Sequence, residues 1–187
     1  MAGHRAFAGT GRSIVDVLNA GFAAVLPEGP RPTAVLVTTE DLRTAGGPSS
    51  RLVMPCVTLL VYRVDPDVES RHSSAHLGGP SNDAPTTAYQ LRLLVTAYDS
   101  DAGAELEWLG LASAILAETA LLGWPLLHPS GGFERRDTLQ LLSENLSPAD
   151  WSLLFQALST PMRPSLAYVV RGVRIDGRMS HGDALPL

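Results

Sequence analysis

The run from Ala88 to Trp124 constrains the fold more than any other part of this chain. It opens as AYQLRLLVTAY, in which Tyr89, Leu91, Leu93, Val95 and Ala97 alternate onto one face, the period of two that a strand imposes on its side chains. The opposite face carries Gln90, Arg92, Leu94, Thr96 and Tyr98 and is only partly apolar. Asp99, Ser100 and Asp101 then offer N-caps, because a short oxygen-bearing side chain accepts from the unpaired N–H groups of a first helical turn. A helix is expected over 102–122, with Leu106, Leu109, Ser113, Leu116 and Ala120 on one stripe and Leu111 and Ile115 widening it. Gly123 and Pro125 end it.

Around this unit the other elements fall in order. Residues 1–12 lack periodicity and read as a flexible tail, after which Ser13 and Asp16 form a capping-box-like pair. Ile14, Leu18, Phe22 and Val25 make a helical stripe, and TAVLVT from Thr33 is a short strand. Residues 39–54 are polar and turn-rich and read as a loop. VTLLVYRV, Val57–Val64, is a strand apolar on both faces. It lies either inside a layered domain or under a partner subunit. The stretch Asp65–Thr87, rich in Pro, Ser, Gly and His, is a long connection and the favoured place for partner contacts. Thr138–Leu142 is a short strand. Ser147, Pro148 and Asp150 announce a helix with Trp151, Leu154, Phe155 and Leu158 on its buried face. Ser165–Ile175 is the last strand, and 177–187 a second flexible tail. The order helix, strand, strand, strand, helix, strand, helix, strand gives an α+β domain over 13–176. Two or three helices pack a mixed, mainly antiparallel sheet.

The chain's 187 residues suffice for one buried core, and no apolar run is long enough to span a membrane. Its first residues are too polar for a signal peptide, which favours a cytoplasmic site of assembly. A net charge of −5 gives no reason to expect nucleic acid. All basic residues are arginine, with no lysine; this is a composition bias, or marks some arginines for protein interfaces.

Candidate chemistry is sparse. His72 and His76 are four apart but lie in SRHSSAHLGG, without a helical stripe or a carboxylate motif, so no metal site is assigned. His4, His128 and His181 stand isolated, and Cys56 reads as a small buried hydrophobe. Neither a GxSxG elbow nor a phosphate-binding glycine loop occurs. The pairs Asp65/Asp67 and Glu105/Glu107 read as solvated charges, and Trp108, Trp124 and Trp151 as core or interface residues. No catalytic residue and no cofactor is expected.

Five segments together resemble a known family. They are Val57–Val64 with Tyr62; Leu91–Tyr98 with Thr96; Glu105 with Leu109–Gly110; Leu146–Ser147 through Trp151 and Phe155; and RPSLAY at Arg163–Tyr168 leading to Ile175–Asp176. Their order is similar to that in the N-terminal domain of the tail terminator, or cap, protein of extracellular contractile injection systems. The likeness spans Ile14 to Asp176. Two positions depart from it: the loop at Arg71 lacks a neighbouring asparagine, and Met162 replaces the usual aromatic.

What the resemblance implies is a phage tail-terminator-like structural protein, not an enzyme. It would form a homo-hexameric ring that ends tube polymerisation and anchors the distal end of the sheath. The inner tube protein and the sheath protein would be its partners, within a phage tail-like particle. Arg71, His72 and Arg163 are the candidate interface residues. The alternatives are a tail-completion protein of a contractile phage or a type VI-like machine, and a small cytosolic enzyme using Cys56 or the histidine pair. A ligand-binding module is the least supported, since no polar cluster marks a pocket.

Overall fold

The computed structural model describes residues 3–67 and 86–176. Its elements are α1 (Ala6–Val25), β1 (Thr33–Leu36), α2 (Thr39–Arg43), β2 (Cys56–Pro66), β3 (Thr86–Tyr98), α3 (Ala102–Glu118), β4 (Leu121–Leu122), β5 (Leu139–Glu144), α4 (Pro148–Leu158) and β6 (Ser165–Asp176), with a 3-10 turn at Pro129–Gly131. The six strands form one sheet in the order β1-β2-β3-β6-β5-β4. Only the β1–β2 pair is parallel. The fold is thus α+β with a mixed, mainly antiparallel sheet, as expected. The described residues contain four α-helices rather than two or three.

β3 lies at the centre, paired to β2 on one side and β6 on the other. Its alternation divides two cores. Leu91, Leu93, Val95 and Ala97 join Val57 and Leu59 of β2 beneath α1 and α3, which contribute Ile14, Leu18, Phe22, Leu109, Ala112 and Leu116. On the other face Leu94 and Tyr98 join Cys56 and Leu60 beneath Leu42 of α2 and Phe155 and Leu158 of α4. The chain's own helices therefore cover the second apolar face of β2, and a partner subunit is not needed there. In β6 the register to β3 shifts between Tyr89 and Leu91, and Gly172 adopts φ 86°. This bulge inserts an extra residue, so that Val170 and Val173, three apart, both reach the main core.

Three expectations are corrected. Residues 6–12, read as tail, are the opening of α1, and Ser13 lies inside that helix. There its hydroxyl donates to the Gly9 carbonyl at 2.9 Å instead of capping. Residues 39–54 include α2, closed by a full capping box between Thr38 and Asp41. The third helix stops at Glu118, and Leu121–Leu122 form the edge strand β4. Its buried side is Leu109, Ala112, Ile115 and Leu116, whereas Leu106 is exposed. The expected caps at Asp101 and Ser147 are present, each accepting from the N–H three residues on.

The β1 edge is partly closed. The Asn19 side chain on α1 accepts from the Ala34 N–H at 2.8 Å and donates to the Ala34 carbonyl at 3.1 Å, in place of a neighbouring strand. An unblocked edge is a template for pairing with another chain. Asn19→Ala is expected to cost about 1–3 kcal/mol, because it orphans two backbone groups of a buried residue. Urea denaturation measures it as a lower midpoint at unchanged slope.

Candidate functional site

Cys56 and His128 are both held in structural contacts. Cys56 opens β2, buried in the second core. Burial pushes its thiol up to about 11, with the nearby Asp99 charge adding to the effect. A nucleophilic cysteine requires the opposite shift. Because the folded value lies above the unfolded one, the neutral thiol contributes stability in full below about pH 9. That contribution is lost as pH rises towards 11. Iodoacetamide at pH 8 is accordingly expected to label native Cys56 at least about tenfold more slowly than the urea-unfolded chain.

His128 is not isolated. Its Nδ1 accepts from the Ser130 N–H at 3.1 Å and lies 2.8 Å from the Ser130 hydroxyl, while its Nε2 is 3.9 Å from Asp16. Arg12 donates to the same hydroxyl, and the His128 N–H donates to Ser13 at 2.8 Å. This superficially resembles a serine–histidine–aspartate relay. Its contacts instead clamp the 3-10 turn to α1: His128 is the N-cap of that turn, and Ser130 is two residues away. Among the described residues no group of three His, Cys, Asp or Glu side chains could hold a metal ion. His72 and His76 lie outside the described residues, as do Arg71 and most of the connection that carries them.

Of the carboxylates expected to be solvated, Asp65, Asp67 and Glu105 are tied down, whereas Glu107 is exposed. Burial, the largest single effect, pushes the Asp65 carboxyl up, but the hydrogen bonds it accepts from Arg63 at 2.8 Å and Arg92 at 3.0 Å, with their charges, together outweigh it and hold the carboxyl below its usual range. Arg92 also pairs with Glu144, which accepts from the Tyr62 hydroxyl at 3.2 Å. Asp67 is buried and accepts from Gln90. This network occupies the second face of the sheet beyond the α2/α4 cluster. Apart from the Arg63–Asp65 pair within β2, its contacts join β2, β3 and β5 across long sequence separations, which no local pattern marks.

Arg163 is the one interface candidate within the described residues. Its guanidinium donates to Glu105 at 2.7 Å and stands 4.8 Å from the centre of the Tyr98 ring. It thereby joins the loop after α4 to α3 and β3. Beside it Trp151, Met162, Pro164 and Ser165 line a cleft of about 400 Å³, and Met162 stands exposed at its rim. The three tryptophans divide as well. Trp108 donates to Asp99 at 2.8 Å and Trp151 stacks on Phe155, while Trp124 is 54% exposed under Arg135. Exposed aromatic and arginine side chains of this kind are enriched at protein interfaces.

No described helix is long and apolar enough to cross a membrane.

The model of the Pvc16 N-terminal domain family matches residues 10–187. A search of curated proteins gives no match. Among solved structures, the fold is similar to the PVC sheath/tube terminator, in its extended state, of an extracellular contractile injection system. The identity is 12% over 94% of this chain and 60% of that one, with a TM-score of 0.57. It is also similar to the tube-terminating cap of the anti-feeding prophage, at 13% identity over 92% of this chain and 57% of that one, with a TM-score of 0.53. This chain spans about three-fifths of the length of either structure. At such identities the likeness is one of fold.

Proposed function

This chain belongs to the Pvc16 N-terminal domain family, and from that premise we propose that it is a structural terminator subunit of a contractile injection system. Six copies form a ring on the last layer of the inner tube, stop its polymerisation and anchor the distal end of the sheath. The work is mechanical, and no bond is made or broken. The ring is assembled in the cytoplasm and remains part of the phage tail-like particle.

The observation that carries this reading is the family match across residues 10–187, joined to a fold like that of a sheath/tube terminator. A ring of this type needs a heterologous contact that closes on itself. The domain proper is assigned from Ala6, where α1 begins buried in the core, to Asp176, where β6 ends. Arg71 and His72 belong to the connection that leaves the sheet where Pro66 pairs with Tyr89. They are proposed contacts to tube or sheath, as is the Arg163 side of the cleft.

The test is a polymerisation assay. Purified chain added in small molar excess over tube ends should arrest elongation of the inner tube protein, while leaving its subunits free to nucleate. Unchanged elongation at every ratio would sink the terminator reading.

A further inference from the structure

The two edges of the sheet each expose an apolar patch. At the β4 edge Leu121, Trp124 and Leu126 are exposed. The Arg135 guanidinium stands 5.8 Å above the Trp124 ring. Among the described residues Arg135 forms no ion pair and the Trp124 indole N–H no hydrogen bond. At the β1 edge Leu36, Met54 and Val53 are exposed, the last 81%, and Leu36 and Val53 border a cavity of about 350 Å³. Val35, Leu36, Leu52 and Val53 supply its apolar lining, with Asp41 and Arg51 as its charged members. The capping box of α2 uses only Oδ2 of Asp41, so Oδ1 is left for another donor.

We propose that these patches are the two sides of a single contact between copies of this chain, with Trp124 and Arg135 of one copy entering the cavity at the β1 edge of the next. The inference rests on the terminator reading and specifies how its ring closes. The chemistry is complementary. One side offers an indole, an indole N–H and an unpaired guanidinium; the other offers an apolar cavity holding the Asp41 carboxylate beside Arg51, with Asp41 Oδ1 outside the capping box. Arg135 is thereby set against Asp41, an interfacial charge match that fixes register.

The sheet supplies the geometry. Following the pairings from edge to edge, β1 and β4 run in the same direction. A rotation about an axis along the strands therefore carries the β4 edge of one copy to the β1 edge of its neighbour. Such a heterologous contact repeats until it closes. Strand addition is not the mode, because Asn19 already occupies the outward backbone groups of Ala34. Side chains make the joint.

Cysteine cross-linking in the full chain tests this while keeping Trp124 in place. The double variant Val53→Cys/Leu126→Cys, mildly oxidised, should give a disulfide ladder that ends at one closed species. On a non-reducing denaturing gel each single variant should run as a monomer, since Cys56 is buried. Adding Trp124→Ala should reduce the ladder at least tenfold, with the melting temperature unchanged because the side chain is exposed. The absence of a ladder, or single variants that dimerise through like positions, would overturn the proposal. The reduced double variant is also run in the tube-elongation assay. Arrest without a ladder removes this contact and keeps the terminator; a ladder without arrest keeps the contact and removes the terminator.

Discussion

Replacing Leu93 by alanine lowers the stability of the fold by about 2–5 kcal/mol. Leu93 is fully buried at the middle of the central strand, paired across to Val61 on β2 and Tyr168 on β6. Its side chain lies in the cluster to which both α1 and α3 contribute. Removing it forfeits the transfer energy of the lost atoms and leaves a cavity that three hydrogen-bonded strands cannot collapse to fill. Leu106→Ala on α3 removes the same atoms from a side chain that is 57% exposed, and should change stability by no more than about 0.5 kcal/mol. Urea midpoints of the two variants compare them directly. Similar losses for both would mean that α3 packs on a different face.

The second large effect has an unexpected sign. Glycine inside a helix ordinarily costs up to about 1 kcal/mol relative to alanine, so Gly9→Ala in α1 should stabilise the chain if only the helix mattered. In this fold a Cβ at position 9 would stand 2.3 Å from the Cα of Gly131 and 2.9 Å from its nitrogen, with the Phe133 ring at 3.0 Å. Two backbones touch there, and neither can rotate away as a side chain would. The turn carrying Gly131 is moreover pinned to α1 by Arg12, Ser13 and His128. Gly9→Ala should therefore destabilise by about 1–3 kcal/mol, as overpacking does. Thermal melting decides between the two signs; a raised midpoint would show that the helix and the turn are not in contact.

The same glycine explains where the sequence misleads. α1 carries Gly9, Thr10, Gly11 and Ser13 in its first turns, a composition that reads as tail. Small residues were needed for close approach to Gly131 and Leu36. The two hydroxyls satisfy themselves on carbonyls four residues back. Tertiary contact overrides propensity here. In α3 leucines occur all round the helix, so their spacing does not mark its inner face; Ala112, fully buried, does. By contrast β3 was legible, because its period of two survives wherever one face meets a core, and so were the caps at Asp101 and Ser147, which act over three residues.

The candidate surfaces were less legible than the fold. Arg163 stood out through its motif, but its partner Glu105 is 58 residues away, and no local pattern joins them. Trp124 read equally as core or interface; its exposure beneath Arg135 depends on β4 lying at the sheet edge. The β1-edge cavity is assembled from β1, α2 and the residues before Cys56, none of which signals a pocket alone.

The central claim is that this chain terminates a tube. Cryo-electron microscopy of injection particles purified from the native host tests it most directly. The account predicts a six-fold ring of this chain on the last tube layer, in contact with the end of the sheath. Particles whose tube ends carry no density for it, or that hold it elsewhere along the sheath, would contradict the account.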